Sequence, residues 1–111
     1  MVNALGMESQ PTTEQWRRFI RNMSDGMVEA TVEALWWAQT PDERRARQTI
    51  HDNRRGFTKE DAPILSPMAE YLVSATMDDP ERHLSQAQIR LARKLLVKYV
   101  RQIQDLAHGE Y

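Results

Sequence analysis

A chain of 111 residues with a formal net charge of -1 and no cysteine has room for one hydrophobic core and no separate catalytic domain, and it forgoes disulfides, thiolate nucleophiles and cysteine-ligated zinc together. No apolar run approaches the roughly 18 residues of a membrane-spanning helix, and the first residues lack the basic-then-apolar pattern of an export signal. A cytoplasmic protein with no membrane contact is expected.

Met1 to Gln10 are polar and without periodicity, and read as a loose arm before a single domain over 11–111. Thr12 with Gln15 three residues on forms a capping box, after which Trp16, Phe19, Ile20, Met23 and Met27 share a helical face. Ser24-Asp25-Gly26 signals a short break, and Val28, Val32, Leu35 and Trp36 give a second helix an apolar stripe ending near Gln39. Thr40-Pro41-Asp42-Glu43 restarts the chain as a third helix, with a cap, a proline where its missing amide costs nothing and acids at the positive end of the helix dipole. That helix is predicted to reach about Asn53 and to leave through Arg54-Arg55-Gly56. Thr58 to Ile64 reads as a turn or short helical piece because of Pro63. Ser66-Pro67 then begins a fourth helix facing Met68, Tyr71, Leu72 and Ala75 inward and ending at Asp78-Asp79-Pro80.

The last helix carries the most information. Ser85 and Gln88 form another capping box, and Ile89, Ala92, Leu95, Leu96, Tyr99, Ile103 and Leu106 make an inner face. With no alternating run that suits a strand, the fold class predicted is all-α, a compact bundle of about five helices with short connections. Trp16, Phe19, Trp36, Trp37, Phe57, Tyr71 and Tyr99 are expected to supply much of the core volume. Trp36 and Trp37 are adjacent, so one of them must face outward, and Trp37 is taken as the outer one.

Charge is segregated along the chain. From Glu60 to Glu81 there are six acids and no Lys or Arg, whereas Asp42 to Lys59 holds six bases against three acids, and Gln86 to Tyr111 holds five bases against two acids. Arg90, Lys94, Lys98 and Arg101, with Arg93 beside them, line the outer face of the last helix over about 16 Å at 1.5 Å per residue. Such a stripe suits successive phosphates, and Arg44, Arg45, Arg54 and Arg55 are candidates to extend it.

Catalytic chemistry finds no footing. His51, His83 and His108 lack metal-site spacing, Asp78, Asp79 and Glu81 lack the glycine of a calcium loop, and no glycine-rich loop or nucleophile elbow is present. No enzyme, cofactor, metal or small-molecule substrate is expected.

Asn53, Gly56-Phe57, Asp61-Ala62, Ile64-Leu65, Ala69, Leu84-Ser85, Gln88, Ala92-Arg93-Lys94 and Lys98-Tyr99 together resemble a helical module of helicases and other DNA-processing proteins of phages, plasmids and bacteria. Its pattern is Asn-x-x-Gly-Phe-Asn, Asp-Ala, a short helix, then Leu-Ser/Thr-x-x-Gln and a basic helix ending Lys-Tyr-x-x-Gln. The resemblance covers about residues 53–106, departs at Thr58 and in the longer connection Met77 to His83, and includes no motor motif. In size, class and charge pattern the chain is also similar to the small all-helical subunits of CRISPR effector complexes, which line the path of guide and target strands. These resemblances imply a non-enzymatic subunit on an RNA or DNA backbone, with other protein subunits as partners. The alternative is a protein-binding adaptor or phage-encoded inhibitor of a nucleic-acid enzyme, docking through Trp37 and the acidic Glu70, Asp78 and Asp79.

Overall fold

The computed structural model describes residues 11–47, 55–75 and 80–109. These form an all-α bundle: α1 (Thr13–Arg21), α2 (Asp25–Trp37), α3 (Pro41–Ala46), α4 (Ala62–Val73), α5 (Gln86–Leu96), a 3-10 turn (Val97–Tyr99) and α6 (Val100–Ala107). No strand occurs among the described residues.

Helix starts follow the predicted caps. Thr12 accepts from the Gln15 amide at 3.1 Å while its own amide donates to Gln15 Oε1 at 2.8 Å, and Ser85 and Gln88 exchange the same pair at 3.1 and 2.8 Å. Thr40 and Glu43 form a third capping box, and Ser24 accepts from the Met27 amide at 3.2 Å, so the break before α2 is short, as predicted. Each such cap contributes about 1 kcal/mol by satisfying amides that have no partner within the helix.

Three expectations are corrected. The third helix stops at Ala46, where Arg47 takes a left-handed conformation (φ 53°) and turns its guanidinium onto Glu70; the rest of the predicted helix, with Arg54, lies outside the described residues. The fourth helix begins at Ala62 rather than at Ser66, because Pro63 falls in the first turn, where no amide donor is needed. Pro67 is therefore inside α4 and Ser66 is fully buried instead of capping. The single C-terminal helix is divided by the 3-10 turn into α5 and α6.

Helix α2 lies against both α4 and α5, while α1 packs on α5 and α6. Val28, Val32 and Leu35 of α2 are completely buried in a core shared with Leu65, Met68, Ala69 and Leu72 of α4 and with Ile89, Ala92 and Leu96 of α5. Burial of each large aliphatic chain stabilises by about 1.5–3 kcal/mol. Trp36, Phe57 and Tyr99 are buried as predicted, and Trp16 packs against the core edge. Phe19, Met27 and Tyr71 are corrected to exposed positions, and Ala75 is exposed beyond the end of α4. The Tyr71 ring instead supports the Arg82 guanidinium at 5.1 Å.

Gly56 brings the loop before α4 against the end of α2. It has φ 81°, and a Cβ there would overlap Gln39 Cγ and sit 3.2 Å from the Leu35 carbonyl. Gly56→Ala should therefore destabilise by about 2–4 kcal/mol in urea unfolding, combining left-handed strain with overpacking. Gly109→Ala, at φ 71° with nothing within 4 Å, should cost only the strain, so equal destabilisation at the two glycines would contradict the close approach.

Candidate functional site

A polar knot ties the loop before α4 to the C-terminal helices. The 3-10 turn brings Lys98 and Tyr99 to Asp61: the Tyr99 hydroxyl donates to Asp61 Oδ2 at 2.7 Å and Lys98 Nζ lies 2.7 Å from the same oxygen. The Thr58 amide donates to the Tyr99 oxygen at 2.9 Å, and Gln102, one turn further, pairs with both backbone groups of Gly56 at 2.9 and 3.1 Å. Asp61 is 3% exposed. A carboxylate this buried needs an opposite charge and hydrogen-bond donors to offset its desolvation, and the knot supplies both.

Asp61 is also the N-cap of α4, yet its side chain makes no capping bond. The backbone explains why α4 still starts there: the Ala62 amide donates to the Thr58 carbonyl at 2.9 Å, the Ile64 and Leu65 amides donate to the Asp61 carbonyl, and Pro63 has no amide to satisfy.

Two further contacts fix α5. Glu29 of α2, largely buried, accepts from the Leu84 amide at 2.7 Å and from His83 Nδ1 at 3.1 Å. Arg93 reaches back to the start of α2, donating to the Met23 carbonyl and pairing with Asp25 at 2.9 Å.

The predicted basic stripe thus divides. Lys98 and Arg93 are engaged within the bundle, whereas Arg90, Lys94 and Arg101 are exposed and make no ion pair with any described residue. Of the outlying bases, Arg44 stacks on Trp36 and Trp37 and donates to the Trp37 and Gln39 carbonyls, Arg45 is exposed without an ion pair among the described residues, and Arg55 is exposed. Arg54 lies outside the described residues.

Of the proposed protein-contact residues, Trp37 is 58% exposed while Trp36 turns inward, as the adjacency requires. Glu70 is engaged by Arg47 through a two-toothed ion pair at 2.6 to 3.2 Å, which raises the Arg47 pKa and holds α3 to α4. Asp78 and Asp79 lie outside the described residues. An exposed apolar groove between α1, α2 and α6, lined by Trp16, Phe19, Met27, Ala30, Leu106 and Ala107, is absent from the sequence expectations. Its signal is present in α1, where Phe19 lies on the same face as Trp16 but the helix has only one fully buried residue, Ile20.

Among the described residues, no group of three or more His, Asp or Glu side chains could hold a metal ion, and no helix is long and apolar enough to cross a membrane. Comparison of the chain with protein-family models, curated proteins and solved structures yields no match. Gly56, Asp61, Lys98 and Tyr99 meet in the knot, and Phe57 packs edge-on to Tyr99 with ring centroids 6.5 Å apart.

Burial pushes the Tyr99 phenol well above its ordinary range, and the bond to Asp61 acts in the same direction. An unfolded phenol ionises near pH 10, so above about pH 10 the folded chain keeps a proton that the unfolded chain has released, and stability falls as pH rises. Tyr99→Phe should cost about 1–3 kcal/mol at neutral pH by leaving the Thr58 amide and Asp61 short of a partner. In denaturant titrations its deficit against the parent should narrow between about pH 10 and 11; a constant deficit across that range would contradict a buried neutral phenol.

Proposed function

We propose that the chain is a non-enzymatic helical subunit that binds a nucleic-acid backbone, without base specificity, within a larger nucleoprotein assembly. A small subunit of a CRISPR effector complex and a phage or plasmid DNA-processing accessory protein are the assemblies that suit its size and charge. The observation that supports this most is the division of the C-terminal cations. Arg93 and Lys98 neutralise acids of the bundle and hold α5 and the 3-10 turn in place, while Arg90, Lys94 and Arg101 project from that support with no ion pair to any described residue. Exposed cations on a rigid element meet phosphates at little further ordering cost, and phosphate contacts position a protein without reading sequence.

A second function, that of a protein-binding adaptor, is favoured by the groove of Trp16, Phe19 and Met27, since Phe19 and Met27 leave about half of their surface in water (49% and 47%). The two functions are compatible in one subunit of an assembly.

Reversing Arg90 and Lys94 to Glu should weaken binding to every single-stranded or duplex sequence by a similar factor. It should also flatten the log–log salt dependence by about 0.7 to 0.9 for each phosphate that is no longer neutralised. Anisotropy titrations at several salt concentrations, on variants checked by thermal melting, measure both quantities. Unchanged affinity and slope, in the isolated chain and in its assembly, would leave the cations as solvated surface and favour the adaptor. Lys98→Glu is unsuitable for this test because it would place a second carboxylate against Asp61.

A further inference from the structure

Trp37 ends α2 with most of its indole in water, and its neighbours hold it in one orientation. The Trp36 ring meets it edge-on, with centroids 4.8 Å apart and planes at 73°. The Arg44 guanidinium lies 5.0 Å from the Trp37 centroid and 5.4 Å from that of Trp36. That guanidinium is itself fixed by the carbonyls of Trp37 at 3.3 Å and Gln39 at 2.5 Å. The exposed indole is therefore prearranged, with a cation beside it.

The shallow depression beside Trp36 is lined by Pro41, Arg44, Arg45 and Glu70, and the Glu70 carboxylate pairs with Arg47. Gln39 packs on Gly56, and Gly56 is bonded to Gln102, the neighbour of exposed Arg101. Contacts through Gln39 and Gly56 thus link the end of α2 to Gln102 in α6.

We propose that Trp37 is a stacking platform for an unpaired base, with Arg44 and Arg45 beside the adjoining phosphates, so that the nucleic acid this chain takes is single-stranded. This rests on the backbone-binding function above and adds to it a base contact. A flat π-face accepts any unpaired base, whereas the bases of an intact duplex are already stacked and out of reach. A proline-rich or aromatic peptide would also use an exposed Trp, but it would gain little from the Arg44 guanidinium at this one.

The test uses the full chain and fluorescently labelled oligonucleotides of equal length, single-stranded and duplex, titrated by anisotropy. Trp37→Leu keeps apolar bulk and removes the ring, and Trp37→Phe keeps a smaller π-face. For the single strand, Trp37→Leu should weaken binding by about 5- to 100-fold with the salt slope unchanged, and Trp37→Phe should recover most of that affinity. Duplex affinity should be the same in all three proteins. Single-strand affinity of Trp37→Leu equal to the parent, while the Arg90 and Lys94 reversals still weaken binding, would overturn the platform, leave backbone binding intact and return Trp37 to a protein contact. Parent protein that binds neither oligonucleotide, alone or assembled, would overturn both.

Discussion

One buried carboxylate governs the arrangement of this bundle. Asp61 has almost no contact with water, and a charge in that position is tolerated only with a cation and a donor held close to it. Lys98 and Tyr99 are adjacent in sequence and both belong to the 3-10 turn at Val97–Tyr99, from which they reach the same oxygen at 2.7 Å each. The break between α5 and α6 thus coincides with the contact to a residue far earlier in the chain, and Gln102 closes the same junction by pairing with the Gly56 backbone.

What the knot takes up, the surface gives away. A row of cations every third or fourth residue looks uniform when drawn on a helix, but two of the five C-terminal bases serve the fold. Arg93 joins α5 to the start of α2, and Lys98 joins the 3-10 turn to the start of α4. Their charges are largely cancelled by Asp25 and Asp61. Arg90, Lys94 and Arg101 meet no acid among the described residues, which concentrates the positive field there on a helix surface that is braced at both ends. On the far side of Gly56, the Trp36, Trp37 and Arg44 stack offers a second fixed feature of different chemistry.

The fold is largely legible in the sequence because its helix starts are local events. Thr12, Ser24, Thr40 and Ser85 each cap through a partner three residues away, so a short window of sequence contains the whole interaction. Expectation and structure part where the deciding partner is distant. Nothing near Arg47 announces that Glu70, 23 positions on, will hold it at the end of a shortened helix. Tyr71 has helical spacing suited to the core, yet it lies at the rim, where its ring meets Arg82. Phe19 of α1 and Met27 of α2 continue the apolar stripe that begins at Trp16 but lie at the edge of the core, whose centre in α1 is marked by Ile20. The candidate site is legible as charge and not as pairing: the sequence displays every Lys and Arg, but which of them meet an acid depends on the tertiary approach of α2 and α4 to the C-terminal helices. Asp61, one acid among six in its stretch of sequence, is the centre of the knot.

Asp61 and Lys98 must act as a coupled pair if the charges divide in this way, and a double-mutant cycle measures that directly. Urea unfolding of the parent, Asp61→Asn, Lys98→Met and the double variant should give a coupling free energy of about 1.5–3 kcal/mol, the range of a strong interaction within one network. The double variant would then be more stable than the sum of the single effects predicts. Additive effects, with coupling below about 0.5 kcal/mol, would show that Lys98 is an ordinary surface cation and would contradict the division of charges on which the proposed interface depends.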